Sequence, residues 1–150
     1  MERDYDNFDL LIERGVNGYR ALVLKARFGE GKAASFAVPF SQEQLASLFW
    51  LAGRSRHLTA VADESKAQER LTPANFGEAL FRAVFKDPLG QNLALSYQDA
   101  RQRQAGLRLR LRFSEDATEL ADLPWEFLWA PEPMRSDFLT LYEDTPLVRY

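Results

Sequence analysis

The most regular pattern in the chain lies past its midpoint, where Leu107, Leu109, Leu111 and Phe113 alternate with Arg108, Arg110 and Arg112. Unbroken period 2 over that run predicts a β-strand with one apolar face and one face bearing three guanidinium groups. Nearer the N-terminus, Phe8 to Ile12 and Tyr19 to Phe28 are rich in aromatic, β-branched and leucine residues. Gly15-Val16-Asn17-Gly18 between them suits the turn of a β-hairpin. In the second run Tyr19, Ala21, Val23 and Lys25 fall on one face and Arg20, Leu22 and Leu24 on the other, which predicts cover on both faces near the strand's middle. Gly29-Glu30-Gly31-Lys32 then turns the chain into a third short run, Ala34 to Phe40, closed by Pro39. The opening third therefore reads as an antiparallel meander.

Helical spacing starts at Ser41, where Gln44 three residues on completes a capping box. Leu45, Leu48, Phe49 and Ala52 share one face, and Gly53 stops the helix. Residues 53–72 are polar, charged and weakly periodic, so a mobile connection is expected there. Thr72-Pro73 supplies an N-cap with proline at the first helical position. Phe76, Leu80 and Val84 form one stripe of the helix that follows, with Phe81 and Phe85 beside it. Asp87-Pro88 ends it, and Leu89, Leu93, Tyr97 and Ala100 mark another helix closed at Gly106, with Arg101 and Arg103 in its last turn, where cations suit the helix dipole. After Ser114-Glu115-Asp116, the stretch from Thr118 to Trp129 reads as a short helix interrupted by Pro124. Phe138 to Tyr142 and Pro146 to Tyr150 read as two short strands around Glu143-Asp144-Thr145. The sum is an α+β fold: a mixed, largely antiparallel sheet with two to four helices packed on it, the 107–113 strand central, and a C-terminal hairpin.

With 150 residues the chain is long enough for one well-buried core, so a single domain over 1–150 is expected. Hydrophobic residues at 46% and charged residues at 27% disfavour disorder, a collagen-like chain and a coiled-coil rod. The absence of cysteine excludes more. It removes disulfides, thiolate zinc sites, cysteine-bound iron–sulfur clusters and any cysteine nucleophile within the chain. His57 is the single histidine, so no multi-histidine metal site is expected, and neither is a cofactor. Nineteen Lys and Arg against 22 Asp and Glu give a net charge of −3, which argues against nucleic acid or another polyanion as the general partner. The first 20 residues carry charge throughout, which is unlike a leader peptide, and no run approaches the roughly 18 apolar residues of a membrane span. A cytoplasmic protein without a membrane partner is the expectation.

Candidate chemistry is sparse. His57 lies in the polar connection between Arg56 and Leu58, with no serine or carboxylate spaced to make a triad, and reads as a solvated loop residue. Asp63-Glu64, Glu115-Asp116 and Glu143-Asp144 are adjacent pairs in predicted loops, and neighbours in sequence point to different sides, so an acid/base pair has little support. No glycine pattern forms a phosphate loop. Arg108, Arg110 and Arg112 are the main basic concentration. A nucleic-acid surface would interleave aromatics on the same face, whereas here Leu and Phe project to the opposite one. The stripe therefore reads as pairing with acidic neighbours or as aliphatic cover, and the alternative function it offers is a stand-alone binding module that docks an acidic partner's carboxylates bidentately or binds nucleic acid. Within Leu123-Pro124-Trp125-Glu126-Phe127-Leu128-Trp129 the tryptophans read as core, and Glu126 as held by an arginine or by backbone amides. The alternative is a carboxylate-based hydrolase centred on Glu126. No residue is assigned a catalytic role.

Taken in order, Gly77-Glu78-Ala79-Leu80-Phe81, Gly106-Leu107-Arg108-Leu109-Arg110-Leu111, Leu120-Ala121-Asp122-Leu123-Pro124-Trp125-Glu126-Phe127-Leu128, Phe138-Leu139-Thr140-Leu141 and Thr145-Pro146-Leu147-Val148-Arg149-Tyr150 resemble the N-terminal part of CHAT-domain proteins. These are bacterial relatives of caspases and separases, and the resemblance spans nearly the whole chain. It implies an α/β caspase-like half-domain as the alternative fold and, in longer members, a cysteine peptidase whose His and Cys lie on later strands. This chain reaches Tyr150 at the strand that leads into the catalytic half, it has no cysteine, and His57 matches no family position. The resemblance thus implies a non-catalytic scaffold acting in bacterial protease signalling or defence. Its Trp125, Glu126, Trp129 and Arg149 are then structural or interaction residues, and strands within 138–150 pair with a protein partner or a second copy.

Overall fold

The structure, a computed structural model, describes residues 3–41, 43–46, 72–132 and 134–149. Strands β1 (Tyr5–Gly15) and β2 (Gly18–Lys25) form the hairpin, and β3 (Ala33–Phe36) continues it. Gly18, with φ at +135°, makes the tight turn and admits no side chain, because a Cβ would stand 2.9 Å from the Phe36 carbonyl oxygen. Helices α1 (Pro73–Val84) and α2 (Leu89–Gln102) follow, then β4 (Gly106–Phe113). Beyond them come a 3₁₀ turn, the short helix α3 (Thr118–Ala121), a 3₁₀ turn at Trp125–Phe127, β5 (Trp129–Ala130), β6 (Asp137–Phe138), a 3₁₀ turn at Leu139–Leu141 and β7 (Leu147–Arg149). The fold is α+β, with a mixed sheet in the order β3-β2-β1-β4-β7 and a separate β5-β6 ladder.

Two strand placements differ from expectation. The 107–113 strand is not central; β1 is, because it holds β2 antiparallel on one side and β4 parallel on the other. The C-terminal hairpin does not form either. Phe138 pairs with Trp129, Leu139–Leu141 coils into a 3₁₀ turn, and β7 runs parallel to β4 with Leu147 beside Leu109. The physical reason is long-range. Pairing β7 with β4 continues the apolar row of the core, whereas pairing it with residues 138–142 would leave the β4 edge bare. Local pattern cannot choose between those two partners.

The helices cover one sheet face. Phe8, Leu10 and Ile12 of β1, Ala21 and Val23 of β2, and Leu107, Leu109 and Leu111 of β4 are buried beneath Phe76, Leu80 and Val84 of α1 and Leu89, Leu93 and Tyr97 of α2. The 120–130 segment closes the same layer, with the Trp125 ring tilted against Phe113 at 5.5 Å. Thr72 caps α1 by accepting from the Asn75 amide at 3.0 Å. The capping box expected at Ser41 also forms, with the Gln44 amide donating to Ser41 Oγ and the Ser41 amide to Gln44 Oε1. The expected helical face beyond Leu45, the end at Gly53, the mobile connection short of Thr72, and His57 lie outside the described residues.

The second face of β2 is not covered as expected. Leu22 is half-buried and Leu24 is 38% exposed. A register shift between Asp9 and Leu10 pairs Lys25 with Asp9, which moves Lys25 off the Ala21–Val23 face. A bulge of this kind costs one residue of alternation, so a strict period-2 count misplaces every side chain beyond it.

Candidate interaction surface

Strand register assembles the sheet face opposite the described helices from sequence-distant residues. Asn7 stands beside Arg108; Lys25, Asp9, Arg110 and Val148 form a second row; Ala33, Leu22, Leu11 and Arg112 form a third; Ser35, Arg20 and Glu13 form a fourth. The arginine stripe is therefore a column across this face, one residue from each of three rows. Arg110 makes a bidentate pair with Asp9, Nε to Oδ1 at 2.7 Å and Nη2 to Oδ2 at 2.9 Å, a geometry that suits the planar guanidinium. Arg108 lies over the Tyr5 ring at 4.9 Å and donates to Asn7 Oδ1 at 3.3 Å. Arg112 is exposed. Beside the first rows a cleft of about 360 Å³ opens among Tyr5, Asp6, Asn7, Lys25, Ala26, Arg27 and Glu30. Of its two cations, Arg27 is matched by Asp99 at 2.7 Å.

The remaining candidates lie apart from that column. Trp125 is completely buried and its Nε1 donates to the Leu120 carbonyl at 2.7 Å, so it is a core residue with its polar edge satisfied. Glu126, at 54% side-chain exposure, forms an ion pair with Arg149, whose Nη1 also donates to the Ala121 carbonyl at 2.8 Å. Trp129 packs edge-on against Phe138 with ring centroids 5.1 Å apart. Arg149 thus ties β7 to the α3 end. No group of three His, Asp or Glu side chains gathers as metal ligands would among the described residues.

Two clusters carry no mark in the linear sequence. Arg135, with a side chain only 10% exposed, donates to Asp144 at 2.8 Å, to Thr145 Oγ1 at 2.7 Å and to the Tyr97 hydroxyl, and it lies over the Tyr142 ring at 3.9 Å. Burial opposes its charge, but the bonds to Asp144 and Tyr97 outweigh that and raise its pKa. At the far end of β1, Glu119 accepts from the Tyr19 hydroxyl at 2.6 Å and pairs with Arg14, while Asp116 accepts from the Ser114 hydroxyl and the Arg14 amide. The Tyr19 bond holds the Glu119 carboxyl below its ordinary range, and the Ser114 bond does the same for Asp116. Arg14 and Tyr19 lie about a hundred residues from these carboxylates, so spacing carries no signal for the cluster. One signal was available on the sheet: polar Asn7 and Asp9 alternate with apolar Phe8 and Leu10 as Arg108 and Arg110 alternate with Leu109 and Leu111, the match a parallel pairing requires.

Together these elements define an α+β fold whose mixed five-strand sheet carries the described helices on one face. No family model matches the chain, and no curated protein or solved structure does so either. Among the described residues no helix is long and apolar enough to cross a membrane.

Proposed function

We propose that this chain is a non-catalytic interaction module of the CHAT type, a cytoplasmic scaffold that packs against a caspase-like catalytic half or another protein partner. The observation that supports it is the parallel set β1-β4-β7: among the described residues, helices lie on one of its faces and it ends on the edge strand β7. Parallel strands are ordinarily buried on both faces, and an edge strand is ordinarily covered or continued. A sheet left in this condition is a surface built to be completed. The Glu126 hydrolase reading is weaker, because that carboxylate is more than half exposed and paired with Arg149. The test is to sequence the flanking reading frames and co-express the chain with any cysteine-bearing polypeptide they encode. The expected result is stable co-purification, and peptide hydrolysis by the pair but not by the chain alone. Hydrolysis by the chain alone that Glu126→Gln abolishes would overturn the reading.

A further inference from the structure

Resting on that reading, we infer that the slot between the α1–α2 turn and the link from β5 to β6 seats an arginine side chain of the partner polypeptide. The slot is a cavity of about 220 Å³ on the helical side of the molecule. Phe81 comes from the end of α1, Gln91 and Ala94 from one face of the first turns of α2, and Pro131, Glu132 and Met134 from the β5–β6 link. Burial sorts these residues into a floor and a rim. Phe81 is buried and Ala94, Pro131 and Met134 are half-buried, whereas Gln91, Glu132 and Asp87 of the α1–α2 turn are exposed. The floor is therefore apolar, and the rim carries two carboxylates and an amide.

Those carboxylates are not answered from within. Among the described residues neither Asp87 nor Glu132 enters an ion pair. Arg135, three positions from Glu132, is committed to Asp144 and Thr145. The walls are also fixed by contacts of their own. The Phe81 ring lies against Phe85 at 4.8 Å, the Met134 amide donates to the Pro131 carbonyl at 3.1 Å, and the Ser136 amide to the Ala130 carbonyl at 2.6 Å. A slot shaped in advance costs an entering side chain little reorganisation.

Volume and charge name the occupant. The cavity is smaller than the roughly 300–1,000 Å³ that encloses a drug-sized ligand, and suits one long side chain. An arginine lying along it rests its methylenes on the apolar floor and turns its guanidinium to the rim, where a five-donor fork matches acceptors on separate residues. A leucine or methionine would cover the floor but desolvate the carboxylates without pairing them. Free arginine would bring its own carboxylate up to Asp87 and Glu132, and nucleic-acid phosphates meet the same repulsion.

The test is a titration of the ¹⁵N-labelled chain, followed by amide shifts, with the blocked peptide acetyl-Gly-Ser-Arg-Ser-Gly-amide. The controls are the same peptide with citrulline, which keeps the shape without the charge, and free arginine. The expected result is saturable shifts at Gln91, Ala94 and Met134, with both controls at least about tenfold weaker and binding reduced by salt. Asp87→Asn and Glu132→Gln should each weaken it by about threefold or more while leaving the thermal melt unchanged, since both side chains are exposed. Equal binding of the citrulline peptide overturns the inference, as does tighter binding of free arginine, a set of shifts that avoids the slot, or no saturation by about 20 mM peptide. Wild-type recovery of a co-expressed partner by the Asp87→Asn, Glu132→Gln double variant overturns it too, yet leaves the interaction-module reading standing. Unaided peptide hydrolysis would remove that reading instead.

Discussion

Gly77 lies inside α1, where glycine costs roughly 1 kcal/mol of helix propensity relative to alanine. Its lack of a side chain is explained by what crosses above it: a Cβ there would stand 1.6 Å from the Phe127 carbonyl oxygen and 2.9 Å from the Trp129 amide nitrogen. Gly77→Ala should therefore destabilise the protein by about 1–3 kcal/mol in urea unfolding, against the sign that propensity alone predicts. A more stable variant would show that the 127–129 backbone can withdraw. Trp125 offers a second residue-scale test. Its burial and its bond to the Leu120 carbonyl make Trp125→Ala cost about 3–5 kcal/mol. Trp125→Phe should lose less, since an aromatic ring stays against Phe113 and the loss is confined to the indole N–H bond and the volume of the second ring. Chemical denaturation of the two variants side by side checks the order.

Among elements, the clearest contrast is between β4 and β7. The alternation in β4 makes its two faces legible in the amino-acid sequence, down to which residues are core, because a period of 2 is a local property of a strand. Its position second from one end of the sheet is not legible there. That depends on Asp9 lying opposite Arg110 in a parallel register, a contact across about a hundred residues. β7, three residues long, carries too little pattern to declare a partner at all. The Asp9–Arg110 pair tests whether side-chain pairing contributes to that register. Both groups are partly exposed, so a double-mutant cycle with Asp9→Asn and Arg110→Gln should return a coupling of about 1 kcal/mol. A coupling of zero would mean that the apolar row of Phe8, Leu10, Leu109 and Leu111 sets the register unaided. The caps behave differently from the strands. Thr72 and the Ser41–Gln44 box are legible because their partners lie three residues away.

For the whole molecule, the hydrogen bonds that join its ends to its sheet imply a stability plateau. Asp137 is held below its ordinary range by the Tyr142 hydroxyl and the Phe138 amide, as Glu119 and Asp116 are by their own donors. Groups with depressed pKa values stabilise the fold above about pH 4 and lose that contribution as pH falls through their folded values. Tyr19 and Tyr142 have raised pKa values, chiefly through the same bonds to Glu119 and Asp137. Their contribution is complete below about pH 10 and is lost as pH rises beyond it. The melting temperature should thus be nearly flat between these limits and fall on both sides, with Glu119→Gln shallowing both limbs. A melting temperature that climbs toward acid would contradict these assignments.

Short-range physics accounts for what the amino-acid sequence determines by itself: the hairpin turn, the helix starts, the two faces of β4, the α+β class and the want of any thiol chemistry. Each depends on residues within a few positions of one another, or on composition. Strand order, the parallel joins of β4 to β1 and β7, the bulge that turns Lys25 onto the arginine face, and the hub at Arg135 depend on contacts between distant segments. Those contacts are selected by burying the most apolar surface while buried polar groups find partners, a condition on the entire chain that no local window contains.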